Sequence, residues 1–296
     1  MSAGVRETVV DGDCAGQRLD NFLMRELGAV PRSLVYRLIR TGQVRVNGGR
    51  VKPMRKLAFG DRVRIPPVRQ DAGPVRVPDE RIAAVEQRIV HRGEQFLVID
   101  KPAGMASQAG SGLAWGLNDV VAAIEPRALP VHRLDRDTSG LMLFALGSAN
   151  ARQLQQLFRQ GTIVKRYLAL LDGHLADERM VVDQPLKKIR DGSGQHRVIA
   201  AEDGQPARSV FKVLERLPDH DFVEVTLETG RTHQIRAHAV HLGAPLAGDD
   251  RYNPGSGDGP GRMFLHATVL EVPWPEEQVF SSPLPEALAA FLEQVR

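Results

Sequence analysis

The sequence predicts an α+β protein: a mixed, mostly antiparallel sheet with flanking helices, preceded by a small α+β domain. Three observations carry this reading. Short apolar runs of strand length recur from about residue 90 onward, without the regular strand–helix alternation of a parallel α/β fold. Two amphipathic helical stripes, followed by short strand-like runs and glycine turns, sit together near the N-terminus. Charge is also divided unevenly. Between Gly16 and Pro66 there are twelve cations against three anions, in a chain whose whole net charge is +3.

The N-terminal domain is read as follows. Leu19, Phe22, Leu23 and Met24 form a helical stripe that stops at Gly28. Pro31 and Ser33 open a second helix, with Leu34, Val35, Leu38 and Ile39 on its apolar side and Gly42 as its stop. Gln43 to Asn47 alternates as a strand, and Asn47-Gly48-Gly49 is a tight-turn signal leading into Arg50-Val51-Lys52. Phe59-Gly60-Asp61 turns into a last short strand, Val63 to Ile65. Residues 1–15 are read as an N-terminal extension and 16–66 as the domain. Residues 67–89, with Pro67, Pro74 and Pro78, are read as a linker.

The second domain is read as 90–296. Its strand candidates are Phe96 to Ile99, Leu141 to Leu146, Tyr167 to Leu171, Ser209 to Leu214, Phe222 to Leu227 and Phe264 to Val269. Asn150 to Gln160 places Leu154, Leu157 and Phe158 on one helical face and ends at Gly161. Pro285 to Val295 is a closing helix, and Gly255 to Gly261 is a flexible loop.

Composition narrows the function classes. A hydrophobic content of 42% with 25% charged residues matches a soluble globular chain, and 296 residues suffice for a small and a large domain. One cysteine, Cys14, excludes a disulfide framework and a cysteine-based zinc site within the chain. No secretory leader and no unbroken run of about 18 apolar residues is present, so the expected location is the cytoplasm, with no membrane association. No GxxxxGK[ST] loop and no GxGxxG after a strand points to a nucleotide cofactor. The histidines His233, His238 and His241 do not match a zinc-helix pair, so neither metal nor cofactor is expected. In the basic N-terminal segment arginine outnumbers lysine ten to two, and arginine forks suit phosphate, so an anionic nucleic-acid partner is expected.

Residues 132–140, HRLDRDTSG, pack two arginines and two aspartates around a Thr-Ser-Gly turn ahead of an apolar run. With Lys165-Arg166-Tyr167-Leu168-Ala169 and LETGRTHQIRAHAVHLGAPLAGD (227–249), this run resembles the pseudouridine synthases that act on large-subunit ribosomal RNA and their relatives. Lys101-Pro102-Ala103-Gly104 and the Gly110-to-Gly116 run extend the resemblance, the latter being most similar to the bacterial large-subunit type designated C. Two departures stand out: Asp100 where asparagine usually precedes the Lys-Pro pair, and Ser107-Gln108 where a valine-histidine pair is common. RLDNFL (18–23), 30–53 and GDRVRIP (60–66) resemble the S-four-type RNA-binding domain.

The resemblance implies an isomerase that converts uridines of large-subunit (23S) ribosomal RNA to pseudouridine, with no cofactor, acting as a monomer. It implies that Asp135 is the catalytic carboxylate, as nucleophile or as base, that Arg236 is its paired cation, and that Tyr167 stacks on the uracil. Arg231 is the second candidate for the pairing, read rather as touching substrate or bracing the turn, and Arg133 is the residue that fills the stack vacated by a flipped nucleotide. His132 is read as structural, and Asp137 as fixing the turn. Arg32, Arg37, Arg40, Arg45 and Lys52 are the RNA contacts of the N-terminal domain. Two rivals stay open: a non-catalytic RNA-binding ribosome-assembly factor, and a glycoside hydrolase. The hydrolase would need a second carboxylate about 5–9.5 Å from the first, and the matched motifs offer none.

Overall fold

The structure is a computed structural model that describes residues 4–12, 14–28, 30, 32–68, 77–109, 113–192, 196–255 and 259–296. The side chains of Arg32 and Ser33 lie outside that description, as do Pro31, Pro74, the Gly110-Ser111-Gly112 start of the glycine run and the middle of the 255–261 loop. The chain divides into two compact units: residues 1–76 with 110–114, and residues 77–109 with 115–296.

In the first unit, β1 (Arg6–Val9), α1 (Leu19–Leu27), α2 (Arg32–Arg40), β2 (Arg45–Val46) and β3 (Arg62–Ile65) follow in order. The sheet runs β1-β3-β2, antiparallel throughout. Leu19, Phe22 and Leu23 of α1 and Val35, Leu38 and Ile39 of α2 recur at helical spacing. They close a core with Val44, Val46, Val63 and Ile65. Each such side chain contributes about 1.5–3 kcal/mol by leaving water. The turn after β2 needs left-handed backbone at both central residues, and Asn47 (φ 50°) and Gly48 (φ 77°) supply it. Asn47 also ties the turn to β3: its Nδ2 donates to Asp61 Oδ1 (2.7 Å) and its Oδ1 accepts from the Arg62 N–H (2.8 Å).

Part of the segment read as an extension belongs to this sheet. β1 pairs with β3, Arg6 opposite Ile65 and Val9 opposite Arg62. Its residues are mostly exposed on both faces, so no period-two pattern marks it.

The second unit begins inside the segment read as a linker. α3 (Asp79–Glu86) follows Pro78, and Val77 and Val85 are buried in the larger core. Of the prolines that suggested a linker, Pro78 caps this helix, a position where proline's missing N–H costs nothing. Then come β4 (Ile89–Arg92), β5 (Phe96–Lys101), α4 (Leu117–Ile124), β6 (Ala128–Pro130), β7 (Ser139–Leu146), α5 (Ser148–Gln160) and β8 (Val164–Asp172). They are followed by β9 (Arg179–Asp183), β10 (Leu186–Arg190), β11 (His196–Ala200), β12 (Arg208–Arg216) and β13 (His220–Leu227). The chain ends with α6 (Gln234–His241), β14 (Leu265–Val272), β15 (Gln278–Ser281) and α7 (Glu286–Val295).

The main sheet has the order β4-β5-β7-β14-β8-β13-β12-β9, with β6 beside β7 and β15 beside β14. β10 and β11 form a separate hairpin. All pairings in the main sheet are antiparallel except β7 with β14. This is the mixed, mostly antiparallel sheet expected, with helices packed on it.

β5 and β7 are buried on both faces. Leu97, Ile99, Met142 and Phe144 meet α4 through Leu117, Val120 and Val121, while Phe96, Val98, Leu141 and Leu143 meet Ala151 and Leu154 of α5. This explains why both strands read as unbroken apolar runs. The parallel junction depends on Gly140. Its φ is 111°, and a Cβ there would stand 2.2 Å from the Ala267 carbonyl oxygen of β14. The motif therefore ends in glycine because another strand's backbone occupies the side-chain position. Among the described residues no helix is long and apolar enough to cross a membrane.

Candidate active site

Asp135 lies in the loop between β6 and β7, at a cleft of about 570 Å³. That volume is within the usual range for small-ligand sites. The loop is held residue by residue. His132 Nε2 accepts the Leu143 N–H (2.9 Å). Ser107 Oγ donates to the Leu134 carbonyl (2.6 Å) and accepts the Leu134 N–H (3.1 Å). Lys101, wholly buried at the end of β5, donates to the carbonyls of Pro102 (2.9 Å), Met105 (2.8 Å) and Arg136 (3.1 Å). Burial pulls its ammonium down to about 7, against the pull of Asp137 and Asp135.

The turn itself closes through backbone, with the Thr138 N–H on the Asp135 carbonyl (3.3 Å). Arg262 then donates to the Asp137 carbonyl (3.2 Å) and to Ser139 Oγ (2.9 Å). Asp137 is exposed, and it is its carbonyl, not its carboxylate, that secures the turn.

The Asp135 carboxylate is about one-fifth exposed and faces two groups from the start of α6. Arg236 Nη1 is 3.7 Å from Asp135 Oδ2, and His233 Nε2 is 3.8 Å from the same oxygen. Arg236 has a closer partner that the sequence reading did not name. Its Nε and Nη2 donate to Asp249 Oδ2 (2.7 Å) and Oδ1 (2.6 Å), a two-point pair in which both side chains are buried. Burial works against the guanidinium charge, but Asp249, with Asp135 behind it, more than restores it and leaves Arg236 above its ordinary value. The guanidinium also stacks on Tyr252, 4.7 Å from the ring centroid.

α6 starts with strain. His233 caps it at φ 52°, left-handed backbone that a non-glycine residue rarely adopts. Gln234 organises the loop before it: its Oε1 accepts from the Arg231 N–H (2.9 Å) and Thr229 Oγ1 (2.8 Å), and its Nε2 donates to the Arg208 carbonyl (3.0 Å). Tyr252 Oη accepts the Val198 N–H (2.8 Å) and lies 3.0 Å from His233 Nδ1. Burial pulls His233 below its ordinary value, against the effect of Asp135.

The three histidines diverge. His238 bonds Ser209 Oγ (2.9 Å) and the Gln184 carbonyl (3.0 Å), and His241 is exposed. Among the described residues no group of three or more metal-binding side chains comes together.

Tyr167, on β8 between Val225 of β13 and Ala267 of β14, is buried and lines the same cleft. Burial, with Asp135 nearby, pushes its phenol well above the ordinary value. Arg133 is exposed at the mouth. Arg231 also lines the cleft, but its Nε donates to the Pro206 carbonyl (2.9 Å), so Arg236 is the arginine at ion-pair distance from Asp135.

In the first unit Arg37, Arg40 and Lys52 are exposed, and Arg45 is half-buried with Nη1 on the Gly48 carbonyl (3.0 Å). The acids there are engaged elsewhere, Asp20 with Arg18 and the Tyr36 hydroxyl, Asp61 with Arg55 and Asn47.

The sequence reading missed Asp249, His233, Tyr252, Ser107 and Lys101. One signal was available: a buried arginine requires a carboxylate with matching geometry, and Asp249 closes the very motif that contains Arg236. The two departures from the family pattern also have local reasons. Ser107 grips the Leu134 backbone beside Asp135, and Asp100 pairs with Arg88 at 3.6 Å.

Comparison with known proteins places the chain in a family. Residues 95–241 match the RNA pseudouridylate synthase family model, and 17–63 match the S4 domain. The ribosomal large subunit pseudouridine synthase C of Haemophilus ducreyi is 40% identical over 311 residues, covering 100% of this chain and 97% of that one. The protein of the same name from Escherichia coli is 39% identical over 309 residues, covering 99% and 97%. Among solved structures, human RNA pseudouridylate synthase domain containing 4 aligns with TM-score 0.62 at 25% identity, over 74% of this chain and 96% of that one. Alike over its whole length to the two bacterial proteins, the chain belongs to the RNA pseudouridylate synthase family.

Proposed function

We propose that this chain isomerises uridines of large-subunit (23S) ribosomal RNA to pseudouridine, and that Asp135, Arg236 and Tyr167 carry the reaction. The observation that supports it most is the convergence of a carboxylate, its paired guanidinium and a buried tyrosine on one nucleoside-sized cleft.

In the reaction the bond from C1′ to N1 of uracil breaks, the base turns in place, C5 joins C1′, and the C5 proton leaves while N1 gains one. Asp135 serves either by attacking C1′ or by taking the C2′ proton, and both roles need an anionic oxygen at the sugar. Arg236 supplies positive charge beside that oxygen, and the Asp249 pair fixes its direction. Tyr167 offers a ring against which the freed base is retained. Arg133, at the mouth, takes the place of the extruded nucleotide, whose flipping costs a few kcal/mol. Arg231, which also lines the cleft, touches the substrate or braces its turn through the Pro206 carbonyl.

Arg32, Arg37, Arg40, Arg45 and Lys52 of the first unit contact RNA phosphates, in a domain proposed to span 16–66. The protein is proposed to act as a monomer, and the ribosomal substrate supports a cytoplasmic location.

The test is pseudouridine mapping of unmodified 23S RNA after treatment with the parent protein and with Asp135→Asn. Defined uridines convert with the parent and none with the variant. Equal maps would favour a non-catalytic assembly factor, and release of free uracil would favour a hydrolase.

A further inference from the structure

Lys165, a half-buried cation of the cleft wall, has no acid partner among the described residues. It lies on β8 two residues before Tyr167. Its Nζ is 5.8 Å from the centroid of the Phe158 ring at the end of α5. It stands 4.0 Å from the point where a Cβ on Gly230 would be, so it faces the 228–232 loop. His132 is its other neighbour: burial and then the Lys165 charge hold that imidazole at about 3. Among the described residues no carboxylate lies within ion-pair distance of Lys165 Nζ and no acceptor hydrogen-bonds it. An ammonium taken out of water without an acceptor is costly, and burial lowers its pKa accordingly.

The rest of the wall sharpens the point. Arg133 and Arg159 line the same cleft and are exposed, and neither has an acid partner among the described residues. Glu228, the acid of the facing loop, is taken by Arg208. Asp135 is held from the α6 side by Arg236 and His233.

A uridine base and ribose carry no charge and would leave Lys165 uncompensated. The phosphodiester next to a flipped uridine carries one. We infer that Lys165 is a phosphate-binding residue, receiving a phosphodiester oxygen of the RNA strand adjacent to the flipped uridine, with Arg159 as the outer contact of the same group. Phe158 forms the apolar floor that keeps water from the pair. The compact ammonium suits a single phosphate oxygen as a point charge. This inference rests on RNA being the substrate.

The test compares the full-length parent with K165M and K165R on in-vitro transcribed 23S RNA labelled with tritium at uridine C5. Tritium release is followed over a range of RNA and salt concentrations. For K165M, KM rises about tenfold, kcat stays within about threefold, and the slope of log kcat/KM against log salt becomes shallower by about one. K165R restores KM and slope. A loss confined to kcat would overturn the inference, because it would place Lys165 on the base. Unchanged KM and slope would overturn it too. K165Q replaces K165M if the methionine variant does not melt cooperatively, with the same outcomes required. If the parent itself releases no tritium, the isomerase reading fails, and the salt slope of RNA binding, measured by fluorescence anisotropy, decides Lys165 alone.

Discussion

Both units hold far more arginine than lysine, but they use it in opposite ways. In the first unit Arg37, Arg40 and Lys52 stand exposed, and the local acids are turned inward to Arg18, Tyr36, Asn47 and Arg55. In the cleft Arg236 is buried, bonded at two points by Asp249 and stacked on Tyr252. Exposed cations attract a polyanion over a distance and lose strength as salt screens them. A caged cation cannot move, so it holds a carboxylate in one place. The difference separates affinity for RNA from the chemistry performed on it, and substitutions in the two regions should part along that line.

The largest effect belongs to the carboxylate. Asp135→Asn lowers the single-turnover rate by about 10⁴-fold or more while RNA affinity changes little. Next comes the cage. Asp249→Asn leaves Arg236 buried without its partner, a loss of about 3–5 kcal/mol, read as a lower denaturant midpoint together with a falling kcat. Ser107→Ala removes both bonds to Leu134 and costs about 1–3 kcal/mol, with kcat falling more than KM rises because the Asp135 loop loosens. In the first unit the double variant Arg37→Ala/Arg40→Ala leaves single-turnover kcat unchanged. Its RNA-binding salt slope becomes shallower by about two, read by anisotropy.

The smallest effect concerns pH. Arg18 above all, with the Tyr36 hydroxyl and the Asn21 N–H adding to it and burial opposing, holds Asp20 below its ordinary value of 3.8. A depressed carboxylate stabilises the fold above that value and stops doing so as pH falls through the folded one. The melting difference between parent and Asp20→Asn, about 1 kcal/mol, should therefore stay constant from neutral pH to about 5 and shrink below 4.

Legibility in the sequence followed the range of the interactions. α1 and α2 were readable because their apolar spacing is local, and the Asn47-Gly48 turn because its backbone demand is local. β5 and β7 were readable as apolar runs. β1 was not, since its pairing with β3 spans more than fifty residues and its side chains face water. α6 was not, because it is short and buried nearly all round, so no amphipathic period survives.

The site divides in the same way. Asp135, Tyr167 and Arg236 stand in recognisable motifs. Lys101 and Ser107 act on backbone groups up to thirty-five residues away, through bonds that no side-chain pattern announces. His233 read only as one of three histidines that match no zinc-helix pair, since its place in the site comes from a left-handed backbone and from Tyr252 behind it.

The most direct measurement of the central claim is a pseudouridine map of large-subunit RNA from cells lacking this protein, complemented with the parent chain or with Asp135→Asn. The account predicts that particular pseudouridines vanish in the deletion, return with the parent and stay absent with the variant. Restoration by the variant, or a deletion map with no missing site, would contradict it.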